Sequence, residues 1–345
     1  MRISKKISVA AVSAALLIST TQPASAADIT ASGSSFAYKY VVACKAGTGH
    51  NITYSSTGSG TGRSQFSSGT TDFGASDAAT ALTSPAAVVG KYMYIPFTGG
   101  PVGILYNNPG ITGKTLKLDA TTLARIFRGS IVAWDDAAIK ALNPTLSLPA
   151  KPITVVYRNA SSGTSEAFTT YLNKIVPTVW TKVGNSTFTT SAPALPRNKK
   201  GAANSQIMVT TVKNTAYSIG YADISDASGV KGLAFAQVKN QNGEYLAPTA
   251  ATAGKFLDTF STIASDISGV AVDYTKVVAG GYNLSLFTYA IAPLAGGVKT
   301  SGDKAAVKAS VTYLISGCTK GAALGYSTLS GDLKTAALAL AAKIG

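Results

Sequence analysis

The chain has 345 residues, 46% of them hydrophobic and 13% charged, which excludes an intrinsically disordered sequence and describes one that builds a core. One histidine (His50) and two cysteines exclude the usual His/Cys metal centres. Basic residues outnumber acidic ones by 30 to 15, a surplus that draws anions; its densest cluster, Arg197, Lys199 and Lys200, has no interleaved aromatics, so no nucleic-acid partner is expected.

Residues 1–26 read as a signal peptide. Arg2, Lys5 and Lys6 form a basic n-region, Ile7 to Ile18 an apolar stretch too short for a good membrane span, and Ala24-Ser25-Ala26 a cleavage site. The first cysteine is Cys44, so no lipid-anchor acceptor follows the cleavage site. A periplasmic or secreted protein is expected, cleaved near Ala26. The 319 residues beyond it are more than one compact core usually holds, and two lobes are expected.

A strand at Ile29-Thr30-Ala31 leads through a hydroxyl-rich turn, Ser32 to Ser35, into a helix with the face Phe36, Tyr40, Cys44. A strand over Asn51 to Ser55 follows, then a Gly/Ser turn (Thr57 to Gly62), a short helix, and a strand from Asp72 to Ala75 that ends at Asp77. Asp119 caps a helix with the face Leu123, Ile126, Phe127, ended by Gly129. Asp135 or Asp136 starts another, stopped at Asn143-Pro144. Next comes a β-branched strand, Ile153 to Tyr157, then Arg158 and the loop Ser161-Ser162-Gly163-Thr164. The helix after it has Ala167, Phe168, Tyr171 and Leu172 on one face and is capped by Ser162 or Thr164. Two extended apolar stretches, Pro101 to Asn107 and Tyr282 to Ala292, mark where the chain passes between lobes. Helices fill the sequence from Lys304. This alternation indicates an α/β architecture with largely parallel sheets. Cys44 and Cys318 suggest a disulfide, the alternative being two buried free thiols.

Catalytic constellations are missing from the sequence. Gly163 to Ala167 only approximates a nucleophile elbow, and the sole histidine lies upstream of it. The string from Gly110 to Thr115 fails the phosphate-loop spacing, and Gly58-Ser59-Gly60-Thr61-Gly62 lacks the dinucleotide-loop spacing. Anion binding is better provided for. Arg158, the hydroxyls of Ser162 and Thr164, and the free N–H groups of a helix start form a site for a tetrahedral oxyanion. Ser35, Ser59 and Asp77 lie at three further strand ends, so polar groups are expected to converge at the carboxyl ends of the strands.

The segments GSSFAYKY, YSSTGSGTGRSQF, TTDFGASDAA, TLARIFRGSIVAWDDAAIKALNP, ITVVYRNASSGTSEAFTTYL and SIGYAD occur in this order. They resemble the phosphate-binding proteins of bacterial ABC-type phosphate uptake systems. The resemblance runs from Ile29 to Asp223 and returns at Gly325-Tyr326-Ser327. It implies a two-lobed periplasmic-binding-protein fold of type II, each lobe a mixed, mainly parallel sheet flanked by helices, with the ligand in the cleft. Lobe 1 would comprise 27–106 and 283–345, and lobe 2 residues 107–282. It further implies a monomeric, cofactor-free, non-enzymatic receptor whose partners are inorganic phosphate and an inner-membrane ABC permease. The positions matching phosphate contacts are Ser35, Phe36 (through its backbone N–H), Ser59 and Asp77 from the first lobe, and Arg158, Ser162, Gly163 and Thr164 from the second. Asp77 only accepts hydrogen bonds, so it welcomes the proton of a phosphate and repels fully ionised sulfate. Two departures stand out. Ala160 occupies a position where the family commonly carries an acid paired with the arginine, and the loop Asn159 to Ser162 differs from the usual Asp-Gly-Ser. An alternative reading is a secreted or surface-associated protein that uses this fold for adhesion or for phosphate scavenging or sensing.

Overall fold

A chain of short capped helices and short strands needs one extended scaffold, and here that scaffold is a sheet shared by both lobes. The structure, a computed structural model, describes residues 26–82, 91–297 and 302–345. The expected signal peptide up to residue 25 lies outside the described residues.

The first half runs β1 (Asp28–Gly33), α1 (Tyr38–Cys44), β2 (Asn51–Ser55), α2 (Ser59–Ser67), β3 (Phe73–Ser76) and the 16-residue strand β4 (Tyr92–Asn107). Next come β5 (Lys117–Leu118), α3 (Ala120–Phe127), α4 (Ala137–Leu142), β6 (Thr154–Arg158), α5 (Gly163–Ile175) and α6 (Phe188–Ser191). These lead to β7 (Lys199–Ala202), α7 (Ser205–Lys213), β8 (Ser218–Asp223), α8 (Ile224–Ala227) and the short strands β9 (Ala234–Phe235), β10 (Gln237–Lys239) and β11 (Tyr245–Leu246). The chain closes with α9 (Ala250–Leu257), β12 (Ser285–Pro293), α10 (Lys304–Ser316) and α11 (Gly331–Ala341).

The main sheet has the order β2-β1-β3-β12-β4-β8-β6-β7, with β9 beside β4. Each end is a parallel trio, β2-β1-β3 and β8-β6-β7. The middle is antiparallel: β12 runs against β3 and β4, and β4 against β8. Residues Tyr92 to Pro101 of β4 pair with β12, and Val102 to Asn107 pair with β8. One strand thus belongs to both halves, which explains its unbroken apolar sequence: nearly every residue is buried. The segment after β11 lies back over these crossing strands. Leu257 packs at Gly99, and the Tyr94 N–H donates to the Asp266 carbonyl at 2.6 Å.

Caps fall where the sequence places them. Asp119 and Asp136 accept from Thr122 N at 2.7 Å and Ala138 N at 2.8 Å, and between the two candidates for α5 it is Ser162 that accepts, from Ser165 N at 3.2 Å. The expected turn over Thr57 to Gly62 is different: from Ser59 onward it is already α2. Poor helix formers are used there because α2 lies directly on β1. A Cβ on Gly62 would run into the Gly33 Cα and come within 2.8 Å of the Ser32 carbonyl oxygen.

Cys44 and Cys318 form a disulfide that ties α1 to the end of α10, with Cα atoms 5.5 Å apart and a sequence separation of 274. Closing so long a loop constrains the unfolded chain by roughly 5 kcal/mol in the entropy model. Replacing both cysteines by alanine is therefore expected to lower the thermal midpoint by several degrees, without altering ligand contacts. Unchanged melting of the double variant in a calorimetric scan would contradict that role.

Candidate functional site

The site is assembled from chain ends at the carboxyl edges of the strands, where a sheet stops supplying hydrogen-bond partners. After β1 the chain turns through Ser34, Ser35 and Phe36. After β2 it enters α2 at Ser59, and after β3 it reaches Asp77. From the other half, Arg158 is the last residue of β6, Ser162 caps α5, and Gly163 and Thr164 form that helix's first turn. First-turn N–H groups have no intrahelical acceptor. Ser35, Phe36, Ser59, Asp77, Arg158, Ser162 and Thr164 are all at most 7% exposed, so the two halves shield them from water.

All eight residues expected at the site come together here. The Thr164 hydroxyl donates to Asp77 Oδ2 at 3.0 Å across the cleft. Arg158 Nη1 reaches Ser35 Oγ at 3.2 Å, also across it. The Asp77 N–H donates to Ser59 Oγ at 3.2 Å. A Cβ on Gly163 would stand 2.7 Å from Asp77 Cβ and 2.8 Å from both Asp77 N and Ser59 Oγ, so glycine permits the two lobes to meet. The Phe36 ring is in the core, edge-on to Tyr326 at 5.6 Å, and its carbonyl accepts from the Tyr326 hydroxyl at 2.6 Å, while its main chain directly follows Ser35.

Asp77 is the acceptor in this group. Ser34 and Thr288 (2.9 Å) donate to Oδ1, and Thr164 donates to Oδ2. Burial pushes its carboxyl above the ordinary range, against the opposing pull of these three hydroxyls and of Arg158. Glu166, also raised by burial, lines the same cavity of about 160 Å³ as Asp77. Arg158 shows the opposite response: burial lowers it, with Tyr221, Asp77 and Asp223 holding it back up.

The consequence of Ala160 is visible at Arg158. Its Nε and Nη2 donate to the Ala203 carbonyl at 3.2 and 2.9 Å, and its own N–H donates to the Tyr221 hydroxyl at 3.1 Å. The ion pairs among the described residues are Lys39–Asp226 and Lys140–Asp135, so no carboxylate lies within 4.0 Å of this guanidinium. A carbonyl thus orients it without neutralising it.

Several participants were not foreseen from sequence. Ser205, at the start of α7, gives its N–H to Ser35 Oγ at 3.1 Å, and its hydroxyl lies 3.0 Å from the same oxygen. Arg63 donates to Ser76 Oγ at 3.0 Å and to Ser161 Oγ at 3.5 Å, and the Gly60 N–H donates to the Ser161 carbonyl at 3.3 Å. Asn204-Ser205 ahead of an apolar helix is a capping signal that could have marked the first of these. Thr288, inside an apolar strand, carries no such signal.

Residues 19–317 match the PBP superfamily domain. The phosphate-binding protein PstS of Haemophilus influenzae is 35% identical over 238 residues, covering 68% of this chain and 69% of that protein. The chain belongs to the PBP superfamily and, within it, to the PstS family. Another PstS relative, the phosphate-binding protein PstS 3 of Mycobacterium leprae, is 34% identical over 251 residues, or 70% of this chain and 66% of that protein. The alignments thus span about two thirds of these relatives' length. Among solved structures, the periplasmic phosphate-binding protein PfluDING, determined with bound phosphate, superimposes with a TM-score of 0.73. It is 23% identical and covers 90% of this chain and 93% of that one. A phosphate-binding protein from Stenotrophomonas maltophilia superimposes with a TM-score of 0.68 at 20% identity, with coverages of 90% and 93%. The fold is therefore the two-lobed type II arrangement expected from the sequence.

Proposed function

We propose that this PstS-family chain is a non-catalytic exported receptor that binds inorganic phosphate between its lobes and delivers it to an inner-membrane ABC permease. The observation that carries this reading is Asp77, a buried carboxylate among hydroxyl and N–H donors, joined across the cleft by Thr164 and faced by Arg158. Donors alone bind any tetrahedral oxyanion. One acceptor among them selects an anion that still carries a proton. Ser35, the Phe36 main chain, Ser59 and Asp77 would hold the ligand from the first lobe, and Arg158, Ser162, Gly163 and Thr164 from the second. The names of the PstS relatives support phosphate as that ligand. The Cys44–Cys318 bridge suits an oxidising compartment. Among the described residues no helix is long and apolar enough to cross a membrane. The lobes would divide within β4, where its pairing passes from β12 to β8 after Pro101, and near Tyr282, with 250–282 laid across the crossing strands.

Calorimetric titration with phosphate and sulfate tests the reading. Micromolar or tighter phosphate binding that excess sulfate barely disturbs is the expected result, and equal affinities for the two would overturn it. A second expectation concerns closure. Gly163→Ala places a methyl against Asp77 and Ser59 only when the lobes meet, so overpacking should weaken phosphate binding by about 5- to 150-fold. Wild-type phosphate affinity in this variant would mean that the lobes do not close at this point.

A further inference from the structure

Thr288 is fully buried in β12, a strand otherwise composed of apolar residues beyond its first position. A threonine hydroxyl there is costly unless it is bonded, and its partner is Asp77 Oδ1 at 2.9 Å. Thr288 also lies at the irregularity of the β12–β4 ladder. It pairs with Thr98, whereas Tyr289 pairs with Pro96, leaving Phe97 unmatched. Such bulges re-aim side chains next to functional sites.

Geometry gives that hydroxyl a specific effect. A carboxylate offers about four lone-pair positions. Ser34 and Thr288 together occupy those of Oδ1, while Oδ2 receives Thr164 and keeps one position towards the cleft. The terminal torsion of an aspartate is broad, so one donor would not fix which oxygen faces where. Two donors on the same oxygen do. We propose that Thr288 is a positioning residue for specificity: from the crossing strand it locks the Asp77 carboxylate so that Oδ2 alone is presented to the ligand's proton. This rests on the phosphate-receptor reading above.

The charged and titratable groups around Asp77 are Arg158 of β6, Glu166 of α5, Arg63 of α2 through Ser76, Tyr54 of β2 and Tyr289 of β12. None of them changes in the test. Thr288→Val keeps the shape and removes the donor, whereas Thr288→Ser keeps the donor. Phosphate and sulfate are titrated against each from mildly acidic to mildly alkaline pH, together with a thermal scan. For Thr288→Val the phosphate-to-sulfate affinity ratio should fall on the order of tenfold. Its phosphate binding should also begin to weaken at a higher pH than in the wild type, because one hydroxyl that favours ionised Asp77 is gone. Thr288→Ser should behave as wild type. An unchanged ratio and pH profile in Thr288→Val, or a serine variant impaired as much as the valine one at equal melting temperature, overturns the proposal. Should valine prevent folding, Thr288→Cys, a weaker donor at the same place, carries the test: a ratio intermediate between wild type and none supports the lock, and a wild-type ratio overturns it. A wild-type protein that does not discriminate phosphate from sulfate would overturn the receptor reading instead. Selective wild-type binding with an indifferent Thr288 would overturn this inference alone.

Discussion

Arg158→Met is expected to weaken phosphate binding by roughly 30-fold to several-thousand-fold while shifting the melting of the unliganded protein by no more than about 3 °C. The two halves of that expectation have different origins. Among the described residues no carboxylate lies within 4.0 Å of Arg158, and its charge is oriented by the Ala203 carbonyl and Ser35. Its positive charge is therefore available to a bound anion, and charge-assisted hydrogen bonds in a shielded site are the strong ones. In the unliganded protein the same charge is buried at a desolvation cost, which lowers its proton affinity. Methionine keeps most of the stem's packing and removes that cost, at the expense of leaving the Ala203 carbonyl without its donors. These two effects oppose each other, so stability changes little. Calorimetric binding and differential scanning on the same preparation read both quantities. A large loss of stability with a small loss of affinity would make Arg158 a structural residue and not a ligand contact.

Restoring the missing acid should act in the same direction, more weakly. A carboxylate at position 160 would compensate the guanidinium before the ligand arrives. Ala160 thus marks a site whose charge is more exposed to its anion than the family pattern provides.

Much of this arrangement is legible in the sequence because it depends on local rules. Asp119, Asp136 and Ser162 cap their helices, and Leu123, Ile126, Phe127, Phe168 and Tyr171 are buried as their spacing requires. The strand ends at Ser35, Ser59, Asp77 and Arg158 could be named for the same reason: a hydroxyl or charge just after a strand stands out. Three things could not be read locally. The start of α2 was hidden because Gly60 and Gly62 look like a turn, and only the close approach to β1 makes them helical. The carbonyl partner of Arg158 comes from Ala203, 45 residues away, and a carbonyl has no sequence signature. Thr288 meets Asp77 across 211 residues, through a strand pairing between β12 and β3 that no local pattern announces. Sequence reasoning finds donors and acceptors at chain ends; which acceptor orients which donor is a property of the packed fold.

Asp77→Asn should collapse the preference for phosphate over sulfate by at least about 100-fold, through a fall in phosphate affinity and a rise in sulfate affinity. The amide oxygen can still accept from Ser34 and Thr288, which turns the NH2 group to the position of Oδ2. There it donates to a fully ionised oxyanion that the carboxylate repels, and it no longer accepts the proton of phosphate. The pH dependence separates this role from simple packing. Burial raises the Asp77 carboxyl in the unliganded protein, so its contribution to stability is fully present below the unfolded value and is lost as pH rises through the folded one. The wild type should therefore gain on Asp77→Asn in thermal midpoint towards mild acid and lose that advantage above the raised value. Asp223, raised in the same direction, is common to both proteins and cancels in the difference, whereas Glu166, which the Asp77 charge itself helps to raise, contributes to it. Bound phosphate makes the reverse demand, because it needs the ionised carboxylate as its acceptor. The ratio of wild-type to Asp77→Asn phosphate affinity, in which phosphate's own ionisation also cancels, should then rise with pH over the range where unliganded Asp77 loses its proton. A ratio flat across that range, with the two stability curves still diverging in acid, would leave Asp77 a titrating core residue and assign the choice of anion elsewhere.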